Sequence, residues 1–286
     1  TRTNHVQSTT VEIDSQKITV HESGGSGSPI LLVHGNSSSG LTFRHQLNSP
    51  LGERHRLVAV DLPGHGGSDR ARNPQSEYSL PGYAQIIGAL CERLDLAGAV
   101  VVGWSLGGHI ALEASLRLPA AAGYMIFGTP SLAFPPDMGR AYLPNPAMAV
   151  GFTAALSDAD VKAYVGAFFC PGGSLPPAEF AADVRRTDPL ARACLAEGLR
   201  PGGYEDELNI VANLRLPIAI VHGEGEQLVN GDYIKSLIAP TLWRGSVQLI
   251  ADAGHAPHWE QPSRFNALLE EFALECRDAA RPAPVQ

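Results

Sequence analysis

Two regimes of hydrophobic patterning divide the chain. Residues 10–22, TVEIDSQKITVHE, alternate apolar and polar positions on either side of a polar turn. That period of two predicts a hairpin with one face in water. Past the break GGSGS the alternation stops. Continuous apolar runs follow at 29–35 (PILLVHG), 56–66 (RLVAVDLPGHG), 99–105 (AVVVGWS), 124–130 (YMIFGTP), 216–223 (LPIAIVHG) and 247–255 (VQLIADAGH). A strand with no polar face is one covered on both sides, as in a parallel sheet. Between the runs, residues 78–96, 106–119 and 262–278 carry apolar positions at spacings of three and four, with Pro119 closing the second and Pro262 opening the third, which predicts helices. Strands alternating with helices predict an α/β protein, a mostly parallel sheet of eight strands with helices on both faces.

Residues 131–205 break this rhythm. They hold no strand-like run and are rich in Pro, Ala and Phe, so short helices interrupted by prolines are expected. A long insertion in a compact α/β domain is commonly a lid. The expected layout is a core made of residues 1–130 and 206–286, with residues 131–205 as a helical cap above the carboxyl edge of the sheet, where ligands bind in such folds. No internal repeat is visible, and low complexity is confined to the end, RPAPVQ (281–286).

Composition narrows the function classes. A chain of 286 residues, 44% hydrophobic, suffices for one large core with an inserted lobe. With 21 Lys and Arg against 29 Asp and Glu, the net charge is −8. Neither nucleic acid nor an anionic membrane surface is an expected partner. No apolar run reaches the roughly 18 residues that span a bilayer. Cys91, Cys170, Cys194 and Cys276 lie far apart with no CxxC pair; they read as small buried thiols, not as a metal or redox site. The low cysteine count and the absence of a signal-peptide pattern lead us to expect a cytoplasmic protein, although the chain opens at Thr1, as a trimmed form would. A monomer or small homo-oligomer acting on a small molecule, without cofactor or metal, is the expectation.

The chemistry begins at GWSLG (103–107), a G-x-S-x-G run between a predicted strand and a predicted helix. This is the context of a nucleophile elbow, where a sharp turn exposes the serine hydroxyl and the helix N-terminus favours developing negative charge. Ser105 is therefore the candidate nucleophile; a helix N-cap serine is the plainer reading. A serine hydroxyl needs a base, and for this fold the order is Ser, then Asp or Glu, then His. His255, in the glycine-flanked loop AGHAP, is the candidate base, with His258 its rival. Glu226, three residues past Gly223, is the candidate acid, with Glu224, Asp232 and Asp252 as alternatives. The oxyanion donors are expected to be the amides of Leu106 and of Asn36, in the polar turn HGNSSSG. The Asn36 side chain is also a candidate for bonding a substrate oxygen. His34, Asp61 and His65 read as loop anchors.

The runs HGNSSSG, DLPGHG, GWSLGGHI, LPIAIVHG and AGHAP resemble the AidH-like N-acyl-homoserine lactonases of the α/β-hydrolase fold, from about residue 10 to 275 and least in the cap. The resemblance implies ring opening of acyl-homoserine lactones, called quorum quenching. It implies Ser105 as nucleophile, Glu226 as acid, His255 as base and Asn36 in the oxyanion loop. It further implies that the Tyr164 hydroxyl donates to a substrate carbonyl. Trp104 and the cap residues Phe134, Met138 and Phe168 are expected at the substrate, and Leu132, Met148, Phe152 and Phe169 are further candidates for an apolar slot. The HxHxDH cluster of metal-dependent lactonases is absent, as is the Asp that dehalogenases of this fold carry at the Ser105 position. A carboxylesterase or a carbon–carbon bond hydrolase would use the same three residues. A non-catalytic small-molecule receptor would not need them.

Overall fold

The computed structural model describes residues 6–280, so the low-complexity end at 281–286 lies outside the described residues. Among the described residues eight strands form one sheet. They are β1 (Gln7–Ile13), β2 (Gln16–Glu22), β3 (Pro29–Val33), β4 (Arg56–Val60), β5 (Val100–Trp104), β6 (Gly123–Phe127), β7 (Ile218–Gly223) and β8 (Gln248–Ile250). Their order is β1-β2-β4-β3-β5-β6-β7-β8. β1 and β2 form the hairpin that the alternating segment predicts, with Ile13 opposite Gln16. Its two-residue turn, Asp14 and Ser15, sits at positive φ (50° and 63°), the backbone that matches the twist of paired strands. β2 runs antiparallel to β4, and from β4 to β8 every pairing is parallel.

Burial explains the change of regime. Successive strand side chains point to opposite faces. All residues of β5, β6 and β7 are buried, so both faces of the central sheet are covered. β1 leaves most of its residues exposed. Helix α1 (Leu80–Arg93) starts at Ser79, whose hydroxyl accepts from the Gly82 amide. Helix α2 (Leu106–Ser115) packs against α1 and against β5 and β6.

The stretch between β6 and β7 holds the predicted short helices and, within 131–205, none of the eight strands. Helical turns at Met138–Ala141 and Pro146–Phe152 precede α3 (Asp158–Gly166), α4 (Ala178–Arg186) and α5 (Pro189–Gly198). Ser157 and Asp160 close a reciprocal cap on α3, and prolines separate the pieces. Helix α6 (Glu207–Asn213) leads back to β7. The last helix, α7 (Pro262–Ala279), buries Phe265 and Phe272, and the Phe265 ring meets Phe127 of β6 edge-on at 4.8 Å.

Candidate active site

β5 ends at Trp104 and α2 begins at Leu106, so Ser105 makes the whole turn. Its backbone has φ 54° and ψ −118°, a region that costs a non-glycine residue about 1–3 kcal/mol. Contacts to the next strand hold it there. The Ser105 amide donates to the Phe127 carbonyl (2.8 Å), and the Ser105 carbonyl accepts from the Thr129 hydroxyl (2.7 Å). The flanking glycines are required by contact. A Cβ on Gly103 would overlap the Gly107 carbonyl, and one on Gly107 would overlap the Val33 carbonyl. The helix therefore crosses the strands closely enough to lift the serine side chain to the sheet's edge.

His255 follows β8, and its Nδ1 lies 2.8 Å from Oε2 of Glu226, each side chain 3% exposed. Burial opposes charge on Glu226. The adjacent His255 ring and the Leu228 amide, which donates to Oε1 (2.8 Å), outweigh it and hold the carboxyl below its ordinary range. A carboxylate can only accept, so the imidazole proton sits on Nδ1 and Nε2 is left as the acceptor. The loop is fixed from several sides. Trp104 donates its indole N–H to the His255 carbonyl (2.7 Å), the Phe168 ring stacks on the imidazole at 5.6 Å, and Glu260 accepts from the Gly254 amide (2.6 Å). Gly128, at φ 62°, lets the ring approach, since a Cβ there would stand 2.7 Å from it. The alternative acids Glu224, Asp232 and Asp252 are exposed. His258 is a core histidine, fully buried, with Nε2 2.9 Å from the Thr42 hydroxyl.

Ser105 and His255 line one cavity. Among the described residues the Ser105 hydroxyl has no hydrogen-bond partner; catalytic contacts of this kind commonly tighten only around substrate. The Leu106 and Asn36 amides beside it also donate to no acceptor among the described residues. His34 anchors the loop that carries Asn36: its Nδ1 donates to the Gly35 carbonyl (2.7 Å) and its Nε2 accepts from the Leu62 amide (3.0 Å). Asp61 and His65 are likewise tied to backbone, at Gly40 and Gly67 and at Pro63. The Asn36 side chain bridges to the insertion, donating to the Gly151 carbonyl (2.6 Å) and accepting from the Ser37 hydroxyl (2.8 Å). Nδ2 has no second acceptor among the described residues. Tyr164 lines the cavity with its hydroxyl 3.4 Å from the Asn36 carbonyl. Burial pushes its phenol well up, so it stays a donor.

The cavity is lined mostly by apolar side chains with a few polar groups at Ser105, as small-molecule sites are. Met138, Phe168, Leu132, Met148 and Phe152 line it. Three expectations are corrected. Trp104 is 1% exposed and lies behind His255, its indole N–H on the His255 carbonyl, because it is still in β5 while Ser105 makes the turn. Phe134 packs edge-on against Tyr204 (5.6 Å), and it is Tyr204 that reaches the cavity. Phe169 packs against Phe180 (5.3 Å).

Two features escape the sequence reading. His109 and Glu207 form a second buried pair on the cavity wall, Nδ1 2.8 Å from Oε2. The signal was present for His109, one helical turn after Ser105, but not for its partner. Arg192, 3% exposed, donates to the Thr153 (2.7 Å) and Ala154 (2.9 Å) carbonyls and to the Ser37 hydroxyl (3.2 Å). It ties the insertion to the loop of Asn36.

The alpha/beta hydrolase family matches residues 30–268, and the chain belongs to that family. A solved structure of an AidH N-acyl homoserine lactonase mutant complexed with N-hexanoyl homoserine lactone matches with TM-score 0.90 and 38% identity, over 94% of this chain and 98% of that one. AidH complexed with N-butanoyl homoserine matches at 0.91 and 38%, over 98% and 100%. The resemblance read from the motifs therefore extends along nearly the whole chain. Pimeloyl-[acyl-carrier protein] methyl ester esterase of Stenotrophomonas maltophilia (strain R551-3) is 31% identical over 256 residues, 87% of this chain and 93% of the esterase. The dihydrolipoyllysine-residue acetyltransferase component of the acetoin cleaving system of Cupriavidus necator is 28% identical over 272 residues, 91% of this chain and 67% of that protein. Other curated relatives match over less, 33% of this chain and 27% of the relative in one case. No helix among the described residues is long and apolar enough to cross a membrane.

Proposed function

We propose that this chain is a serine hydrolase that opens the lactone ring of N-acyl-homoserine lactones. Ser105 is the nucleophile, His255 the general base and Glu226 its orienting acid. The observation that carries the substrate assignment is the near-full-length match to AidH, at TM-score 0.90 and 38% identity, in a structure holding an acyl-homoserine lactone.

In the proposed cycle, Ser105 Oγ attacks the ring carbonyl and its proton passes to Nε2 of His255. Glu226 stabilises the imidazolium at Nδ1. The Leu106 and Asn36 amides bond the oxyanion; one such donor is typically worth about 10²–10³ in turnover. Collapse breaks the ring C–O bond, and the alkoxide takes the proton from His255. The alcohol stays tethered through the homoserine carbon chain. Water, deprotonated by His255, then attacks the acyl-enzyme and releases N-acyl-homoserine with Ser105 restored. Every charge formed is met by a residue of the chain, so the cycle needs no metal. Residues 131–205 act as the cap, and Met138, Met148, Phe152 and Phe168 bed the acyl chain while Tyr164 donates to a substrate carbonyl. Quorum quenching follows as the biological consequence.

The esterase at 31% identity supports a second reading, hydrolysis of linear esters. Turnover on acyl-homoserine lactones of several chain lengths, with ring-opened product detected by mass, is compared with turnover on p-nitrophenyl esters. The lactones are expected to be the better substrates and chelators to change nothing. Fast ester cleavage beside negligible lactone opening would overturn the lactonase reading.

A further inference from the structure

Glu207 is fully buried, and both its oxygens are engaged. His109 Nδ1 lies 2.8 Å from Oε2, and the Leu132 amide donates to the same oxygen (2.7 Å), while Oε1 stands 2.9 Å from Nδ1. Burying a carboxylate is costly unless it is paired and bonded, and the proposed acyl transfer uses neither residue. The pair has a chemical result. With its proton on Nδ1 facing the carboxylate, His109 offers only the Nε2 lone pair elsewhere. Among the described residues that atom's one partner is the Tyr142 hydroxyl, at 3.4 Å, longer than a well-made bond of this type. Burial pushes the Tyr142 phenol far up, so it remains an O–H donor. His109 and Tyr142 both line the cavity, among Leu80, Met138, Leu195 and Leu199. A donor and an acceptor thus stand together, slackly joined, in a cavity lined mostly by apolar side chains.

Position says what would fit there. His109 follows Ser105 by four residues on α2, one turn and roughly 6 Å along the axis. In an acyl-homoserine lactone the third acyl carbon lies five bonds from the ring carbonyl, and three backbone bonds span 3.8 Å, so five reach roughly 6 Å. We propose that His109 and Tyr142 form a subsite that selects acyl chains bearing a hydroxyl on the third carbon; this rests on the lactonase reading above. The hydroxyl accepts from Tyr142 and donates to His109 Nε2, replacing one slack contact by two bonds. A 3-oxo group can only accept and leaves Nε2 without a donor. A methylene makes neither bond.

The test compares kcat/KM for N-(3-hydroxyhexanoyl), N-(3-oxohexanoyl) and N-hexanoyl homoserine lactones in the wild type and in Tyr142→Phe. The wild type is expected to prefer the hydroxylated chain by roughly tenfold, the worth of one or two neutral hydrogen bonds. Tyr142→Phe is expected to bring that ratio to about twofold or less. A poorly folded variant loses all three activities alike and leaves the ratio standing, so selectivity separates the subsite from a structural role. A wild-type ratio near one, or a preference untouched by Tyr142→Phe, would overturn the proposal. If the wild type opens none of the three lactones, the lactonase reading fails separately. The subsite is then judged by calorimetric binding of the same intact lactones to Ser105→Ala, where equal binding or none would overturn it.

Discussion

The sheet edge and the helical insertion are held together by different means. At the edge, the turns that carry Ser105, Asn36 and His255 are held by ties within the core: the Ser105 amide to the Phe127 carbonyl, the His34 ring to Gly35 and Leu62, and the Trp104 indole to the His255 carbonyl. The insertion is built from helices of four to ten residues. It meets the core through backbone bonds, among them the Ala256 amide to the Phe168 carbonyl and the Asp188 amide to the Gly64 carbonyl, and through side chains, Asn36 to Gly151 and Arg192 to Ser37. The ties within the core do not involve the insertion, whereas the Asn36 and Arg192 ties join the oxyanion loop to it. The Ser105 turn and the Glu226–His255 pair should therefore be less sensitive to change in the insertion than the Asn36 loop and substrate selectivity are.

The largest effect that sharpens this contrast belongs to Ser105→Ala. Turnover is expected to fall by about 10⁶, and a fluorophosphonate that labels the wild type should no longer react. Labelling that survives would place the nucleophile elsewhere. Next comes Glu226→Gln, which keeps the shape but reverses the hydrogen bond to Nδ1. A loss of about 10⁴ in kcat with little change in KM is expected, and steady-state kinetics on one lactone checks it. A change in KM alone would make Glu226 a loop residue.

Arg192→Met cuts the tie between insertion and edge. We expect a loss of about 10- to 100-fold in kcat/KM from misplacement of the Asn36 loop, with partial recovery in Arg192→Lys. Unchanged kinetics in a folded variant would show that the edge holds that loop unaided. A separate effect, on stability and not on turnover, comes from pH. Burial lowers His34 to about 4 and His65 to about 3, so both are neutral in the folded chain at pH values where the unfolded chain protonates them. Their contribution to stability is complete above the ordinary value near 6.5 and is lost as pH falls toward 4. Each costs about 1.4 kcal/mol per pH unit in that window. Urea unfolding at pH 7, 6 and 5 measures it, and equal stability at pH 7 and 5 would contradict the buried neutral state.

Much of this contrast is legible in the sequence. Runs such as AVVVGWS and LPIAIVHG are strands because every position is buried, and GWSLG is an elbow because close crossing excludes side chains on its glycines. What local pattern misreads is direction. Trp104 borders Ser105 in sequence, but it is the last residue of β5 and the chain turns sharply at Ser105, so it supports His255 from behind. The run 247–255 yields a strand of three residues, Gln248–Ile250, because AGH serves the site and not the sheet. Pairings across long sequence separations leave no local trace. Glu207 meets His109 across 98 positions and Arg192 meets Ser37 across 155, and a charge in a short polar stretch reads as solvated until the fold buries it.

The central claim is that Ser105 becomes acylated by a lactone whose leaving group never departs. It is tested most directly by acid-quenching the enzyme during turnover of N-hexanoyl homoserine lactone and mapping its peptides by mass. The account predicts an adduct on the peptide containing Ser105 with the mass of the entire lactone, since the freed alcohol is still attached. Lactone opened at full rate with no such adduct, and undiminished in Ser105→Ala, would contradict it.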